Sequence, residues 1–214
     1  MEKVNKLLKP ITNLVQNILH FFNYRILNMT YGSISFIKEV DYMGIHCPLE
    51  NKNLKVAEIG VFKGRNSEEM MKLLNINKLY LIDPYTGDGD NVKNYMNSPD
   101  WNSVEKKARK RMFKFGNKVI FIKKFSDDAI NDIPNKMDYI YIDGCHDYKN
   151  VKSDIENYFK KVRYEGILAG HDINIPDVLK AVVEFTNKHN LKFIIRRDDW
   201  IIIKQKGGLN SSQP

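Results

Sequence analysis

Six residues of the 214-residue chain could do chemistry together: Glu58, Asp83, Asp143, His146, His171 and Asp172. Each lies in or just after a short run rich in Val, Ile, Leu or Tyr. Glu58 stands in KVAEIG, Asp83 closes KLYLID, Asp143 closes MDYIYID with His146 three residues on, and His171 and Asp172 follow GILAG. An imidazole with an ordinary pKa of about 6.5 can take a proton at neutral pH. A carboxylate closing the second run, as Asp83 does, is placed to accept both ribose hydroxyls of an adenosine ligand. The segment Glu58-Ile59-Gly60-Val61-Phe62-Lys63-Gly64 leads the first run into a G-x-x-x-G turn and then a helix. Gly60 and Gly64 leave room for a ligand to approach the backbone. The helix start behind them offers free N–H groups and a positive dipole end.

The elements that must position these residues are legible as a pattern. Residues 55–60, 78–83, 118–122, 137–143 and 166–170 are apolar runs of strand length without polar alternation. Strands covered on both faces of a parallel sheet read this way. Helical periodicity separates them. Asn66 is placed as an N-cap, with Glu69 three residues on and Met70, Met71, Leu73 and Leu74 behind it. Val151, Ile155, Tyr158, Phe159 and Val162 share one helix face, and Val178, Leu179, Val182, Val183 and Phe185 share another after Pro176. The order β-α-β-α gives an α/β fold with a parallel sheet and right-handed crossovers. Residues 191–195 and 200–204 are two β-rich runs joined by Arg196-Arg197-Asp198-Asp199, which reads as a hairpin with one antiparallel strand. Residues 85–102 form a long polar loop.

The E-x-G-x-x-x-G form, the acidic second strand and the terminal hairpin resemble class I S-adenosylmethionine-dependent methyltransferases. Dinucleotide dehydrogenases favour G-x-G-x-x-G, and Phe62 stands where that form needs its second glycine. The run Tyr139-Ile140-Tyr141-Ile142-Asp143-Gly144-Cys145-His146-Asp147-Tyr148, a helix, and Gly166-Ile167-Leu168-Ala169-Gly170-His171-Asp172 are similar to the macrocin- and mycinamicin-type sugar O-methyltransferase branch. The resemblance spans about residues 55–205. It implies a Rossmann-like sandwich with a seven-stranded, mostly parallel sheet and an antiparallel C-terminal hairpin strand. It implies S-adenosyl-L-methionine as cofactor, held by Glu58, Gly60, Val61, Phe62, Gly64, Asp83, Ser126, Asp127 and Asp143. Glu58 would face the cofactor's amino-acid end or bond the glycine loop. Ser126 and Asp127 would contact adenine, with helix capping as the equal alternative.

The resemblance also implies the reaction: O-methylation of a small molecule, sugar or glycan, with His146 as general base and Asp143 as its catalytic companion. Asp143, His171 and Asp172 would share Mg2+ or another divalent cation. Relatives carry two acidic or amide residues where this chain has His171-Asp172, and a histidine suits manganese, iron or zinc better than magnesium.

Bulk properties bound these readings. Apolar residues make up 43% and charged residues 28%, and the formal charge is +8. A disordered, collagenous or repeat chain is excluded by composition. Cys47 and Cys145 have no zinc spacing, and a reducing, cytoplasmic setting is the simpler reading. The N-terminus reads as lacking a secretory signal, and residues 11–23 are too short and polar for a transmembrane helix. They read as a helix packing on the domain or on a second copy in a homodimer. The organisation expected is an N-terminal helical extension over 1–50, a methyltransferase domain over 51–206 and a disordered tail over 207–214. The basic run KKARKRMFK at 106–114 reads as a solvated helix face, or as an RNA contact in a nucleic-acid methyltransferase. A non-catalytic binding protein that keeps the fold is the further alternative.

Overall fold

The computed structural model describes residues 25–26, 49, 53–86 and 99–205. Its elements are β1 (Arg25–Ile26), β2 (Leu54–Ile59), α1 (Arg65–Leu73), β3 (Ile76–Ile82), α2 (Trp101–Met112), a 3-10 turn (Phe113–Lys118), β4 (Val119–Ile122), α3 (Ser126–Ala129), β5 (Met137–Ile142), α4 (Tyr148–Lys161), β6 (Val162–Gly170), α5 (Pro176–Lys188), β7 (Phe193–Arg196) and β8 (Asp199–Ile203). Among the described residues no helix is long and apolar enough to cross a membrane.

The eight strands form one sheet in the order β1-β7-β8-β6-β5-β2-β3-β4. Strand β8 runs antiparallel to β6 and β7, and every other pair is parallel. From β2 the chain steps outward through β3 to β4, then returns to the other side of β2 as β5. The order therefore reverses between β2 and β5, and the crevice at such a reversal is where open α/β sheets bind ligands.

Apolar runs without alternation form central strands because both faces are covered. In β5, Ile140 and Ile142 enter one core with α4 and α5, while Tyr139 and Tyr141 enter a second with α1 and α2. Strand β8 divides likewise, with Trp200 and Ile202 on one side and Ile201 on the other. The period of two is kept, with both faces apolar.

Several sequence expectations shift. Seven strands follow residue 53, as expected, and Arg25–Ile26 adds an eighth by pairing in parallel with β7, inside the stretch read as helical. That addition covers backbone groups which an edge strand leaves open. The helix expected over 11–23, residues 87–98 of the loop expected over 85–102 and the tail over 207–214 lie outside the described residues, and Trp101 and Asn102 of that expected loop already belong to α2. Asn66 is not an N-cap. Gly64 holds that position in a left-handed conformation (φ 68, ψ 28), and no side chain caps α1. The hairpin connection narrows to Arg197 and Asp198, because Arg196 and Asp199 already pair. Val162 does not share the helix face expected for it: α4 stops at Lys161, and Val162 begins β6 with extended angles.

Candidate active site

The register of the sheet brings the chemistry to one edge. Ile59 is level with Ile82 and Ile142, Ile82 with Ile122, Ile142 with Gly170, and Gly170 with Trp200. The next residues therefore form a row: Lys123, Asp83, Gly60, Asp143, His171 and, on the antiparallel β8, Asp199. Asp199 escaped the sequence reading because it begins its strand, whereas its neighbours end theirs. Antiparallel β8 starts at the edge where parallel strands finish.

The turn after β2 is built on positive φ values at Gly60 (82), Phe62 (48) and Gly64 (68). A Cβ on Gly60 would lie 1.9 Å from the Asp143 carbonyl oxygen. Gly60 is thus needed to let the β5 chain pass, rather than to admit a ligand as its sequence suggested. At Gly64 a Cβ would meet Ala108 of α2 at 3.5 Å, an ordinary contact. Phe62 is 46% exposed, and its ring meets Trp101 edge-on at 6.4 Å.

Asp83 is buried beneath this turn. Its Oδ2 accepts from the backbone N–H groups of Val61 (2.9 Å) and Phe62 (2.8 Å), and its Oδ1 from that of Tyr85 (2.8 Å). Burial raises its pKa above the ordinary value, against these three bonds. Glu58 is buried too. It accepts from the Asn66 side-chain amide at 2.9 Å and from the Ser67 hydroxyl, so its partners are side chains of α1 and not loop N–H groups. The Tyr85 hydroxyl and the Trp101 indole nitrogen are buried without a hydrogen-bond partner among the described residues. Both flank the turn, and nothing in the sequence pattern singled them out.

At the β5–β6 end, Asp143, His146 and Asp172 each offer a ligand atom, all within 4.8 Å of one another. His146 Nε2 lies 2.9 Å from Asp172 Oδ2 and 3.7 Å from Asp143 Oδ1. Nε2 thus faces both carboxylates at ion-pair distance, without full hydrogen-bond geometry to either. The sequence grouped His171 with Asp143 and Asp172. Its Nδ1 is 3.0 Å from Asp172 Oδ1 but 4.0 Å from Asp143 Oδ1, and His146 is the histidine that completes the tight triad.

Asp143, ahead of Asp172, holds the His146 imidazole above its usual pKa against the opposing cost of burial. For His171 burial opposes the charged form, but the Asp172 bond and the Asp143 charge outweigh it and raise the pKa. Behind them Asp199 is buried and accepts from the Tyr141 hydroxyl at 2.7 Å. Burial raises the Asp199 pKa.

Ser126 and Asp127 follow β4 and face α4. The Asp127 carboxylate accepts from Ser153 Oγ at 2.7 Å and Asn157 Nδ2 at 3.4 Å. Neither residue caps α3, whose N-cap is Phe125 without a side-chain bond. In the basic run, Arg109 pairs with Glu105, and Arg111 and Lys114 pair with Glu68. Lys114, then Arg111, then Lys72 hold the Glu68 carboxyl down to about 2.

A family model described as "Methyltransferase domain" matches residues 57–173. An uncharacterized protein of Acanthamoeba polyphaga mimivirus is 32% identical over 145 residues, covering 62% of this chain and 59% of its own. The chain thus spans about 59% of the length of that curated relative. A Staphylococcus aureus protein named as a candidate caffeoyl-CoA O-methyltransferase superposes with a TM-score of 0.58 at 13% identity, over 95% of this chain and 98% of its own. A candidate methyltransferase from Streptococcus mutans, in complex with SAH, gives 0.55 at 12% identity over 81% and 97% of the two chains. At such identities these two likenesses establish the fold.

Proposed function

The chain belongs to the methyltransferase-domain family matched over residues 57–173, and from that premise we propose O-methylation of a small-molecule, sugar or glycan hydroxyl with His146 as general base. The observation that carries the proposal is the Nε2 of His146 at the ligand-binding edge, held at ion-pair distance from the Asp143 and Asp172 carboxylates. A hydroxyl must lose a proton to become a good nucleophile, and this nitrogen is positioned to take one. The two carboxylates stabilise the imidazolium that results. An amine acceptor, nucleophilic when neutral, has less need of such a base.

S-adenosylmethionine, when bound, supplies a methyl group on a sulfonium that carries its own leaving group. The chain's residues fit it. The strained turn over residues 60–64 lies at the sheet's reversal point, and the Tyr85 hydroxyl and Trp101 N–H beside it are buried without partners among the described residues. Asp83 still has lone pairs for a ribose hydroxyl beyond its three backbone bonds. The remaining task of the residues is to hold acceptor and base in line.

The triad of Asp143, His146 and Asp172 supports a second reading, in which one divalent cation sits among them. Nε2 of His146 cannot both ligate a cation and accept the acceptor's proton, so the two readings exclude each other at that atom.

One experiment tests the base. His146→Ala should lower turnover by about a hundredfold or more, the usual contribution of a positioned base. Its calorimetric affinity for SAH should stay within about threefold of the parent. Full turnover in the variant removes His146 from the base role. Turnover of the parent that falls on chelation, with one equivalent of metal lost, shifts the reading to the cation.

A further inference from the structure

We propose that Arg111 of α2 is a positioning residue for the cofactor: by holding the Lys63 carbonyl it fixes the turn over residues 60–64 in the shape that receives S-adenosylmethionine. The inference rests on the reading that this turn binds the cofactor.

One guanidinium reaches two elements. Arg111 Nε donates to the Lys63 carbonyl oxygen at 3.1 Å, and its Nη1 donates to Glu68 Oε2 at 2.9 Å. Lys63 belongs to the glycine turn, and Glu68 stands in the first turn of α1. The planar fork of an arginine can serve both at once, whereas an ammonium is a single point of charge. Of the six cations in the basic run over 106–114, Arg111 alone is partly buried, and the other five are exposed.

The turn needs a hold on that side. Phe62 and Gly64 both have positive φ, and a bulky residue such as Phe62 keeps that conformation only where its surroundings impose it. Asp83 binds the turn from beneath, through the N–H groups of Val61 and Phe62. Gly64 N–H donates to the Val61 carbonyl at 2.8 Å and closes the turn. Gly64 then starts α1 without a side-chain cap. Arg111 takes the carbonyl just before that residue, so the turn is bound through its N–H groups by Asp83 and through a C=O by Arg111. Helix α2 meets the turn at two further points, Trp101 against Phe62 and Ala108 beside Gly64. Trp101, Ala108 and Arg111 are spaced by seven and three residues, which puts them on one side of the helix.

A turn already held in its bound shape takes a ligand without the cost of ordering first. Loss of the Arg111 bond should therefore appear in cofactor affinity. The ion pair with Glu68 is a separate matter. It joins α1 to α2, and Glu68 also has Lys72 and Lys114 as partners.

The test is calorimetry of the full chain with SAH, beside urea unfolding of each variant. Arg111→Met keeps the apolar stem and removes both donors. It should bind SAH about tenfold more weakly, the scale of one hydrogen bond from a charged group. Glu68→Gln weakens the same ion pair but leaves Arg111 Nε on Lys63, and it should keep SAH affinity within about twofold of the parent. A folded Arg111→Met with unchanged affinity overturns the proposal. Equal losses in Arg111→Met and Glu68→Gln overturn it too, because the ion pair between helices would then be the cause. A parent that does not bind SAH overturns the cofactor assignment itself. If Arg111→Met does not fold, Arg111→Lys decides. Its ammonium goes to the Glu68 carboxylate and leaves the Lys63 carbonyl, so SAH should again bind about tenfold more weakly, and unchanged affinity there overturns the proposal.

Discussion

Burial decides the charge of Glu58, and a pH dependence follows. Its carboxyl is 1% exposed and is pushed up to about 8 by burial, against bonds from Ser67 and Asn66. Below about pH 4.5 the group is protonated in both folded and unfolded chains and contributes no slope. Between there and 8 the unfolded chain releases a proton that the folded chain keeps, so stability falls as pH rises through that window. Glu58→Gln preserves shape and can still accept from Asn66 and donate to Ser67. Thermal unfolding should therefore show the variant gaining on the parent between about pH 5 and pH 8.5. A constant difference across that range would show that Glu58 stays ionised in the fold. The sequence placed Glu58 correctly in its strand and at the glycine turn. It missed the partners, because Asn66 was read as a cap. The left-handed entry at Gly64 instead starts the helix earlier and sends the Asn66 amide back to β2.

At the scale of elements, strands were the most legible feature, because a run covered on both faces needs no partner to be recognised. Contacts between elements were not legible. Gly60 and Gly64 looked equivalent, both clearing space for a ligand, yet they answer to different neighbours. A methyl group at Gly60 would collide with the backbone of Asp143, 83 residues away in sequence, at 1.9 Å. At Gly64 the nearest atom is 3.5 Å away, and only the positive φ resists. Gly64→Ala should therefore cost about 1–2 kcal/mol, the strain of one left-handed residue. Gly60→Ala should cost more than about 3 kcal/mol or prevent folding, because two strands must separate. Urea unfolding of both variants measures the contrast. Equal costs would mean that the β2 turn and β5 are not in the close contact described. The same long-range logic hid Asp199, whose place in the row at the strand ends comes from the pairing of β8 with β6 and not from any local motif.

At the scale of the molecule, a formal charge of +8 raises nucleic acid as a partner. The arrangement of charge argues against it. Two glutamates engage three of the six cations of the basic run: Glu105 binds Arg109, as well as Lys123 outside the run, and Glu68 binds Arg111 and Lys114, as well as Lys72 outside it. Cations already held by carboxylates gain less from phosphate contact, since each must exchange one anion for another. The described end of β5 and β6 presents Asp143 and Asp172 around its two histidines, and these carboxylates repel a polyanion at short range. A neutral hydroxylated acceptor pays no such penalty. Single-stranded RNA should accordingly bind no tighter than about 10⁻⁴ M at physiological salt, the weak limit of non-specific binding. Gel shifts over a salt series would show it. Micromolar binding that weakens steeply with salt, and that disappears when Lys106, Lys107 and Lys110 are changed to Glu, would return the basic helix to the centre of function and make RNA the acceptor to test first.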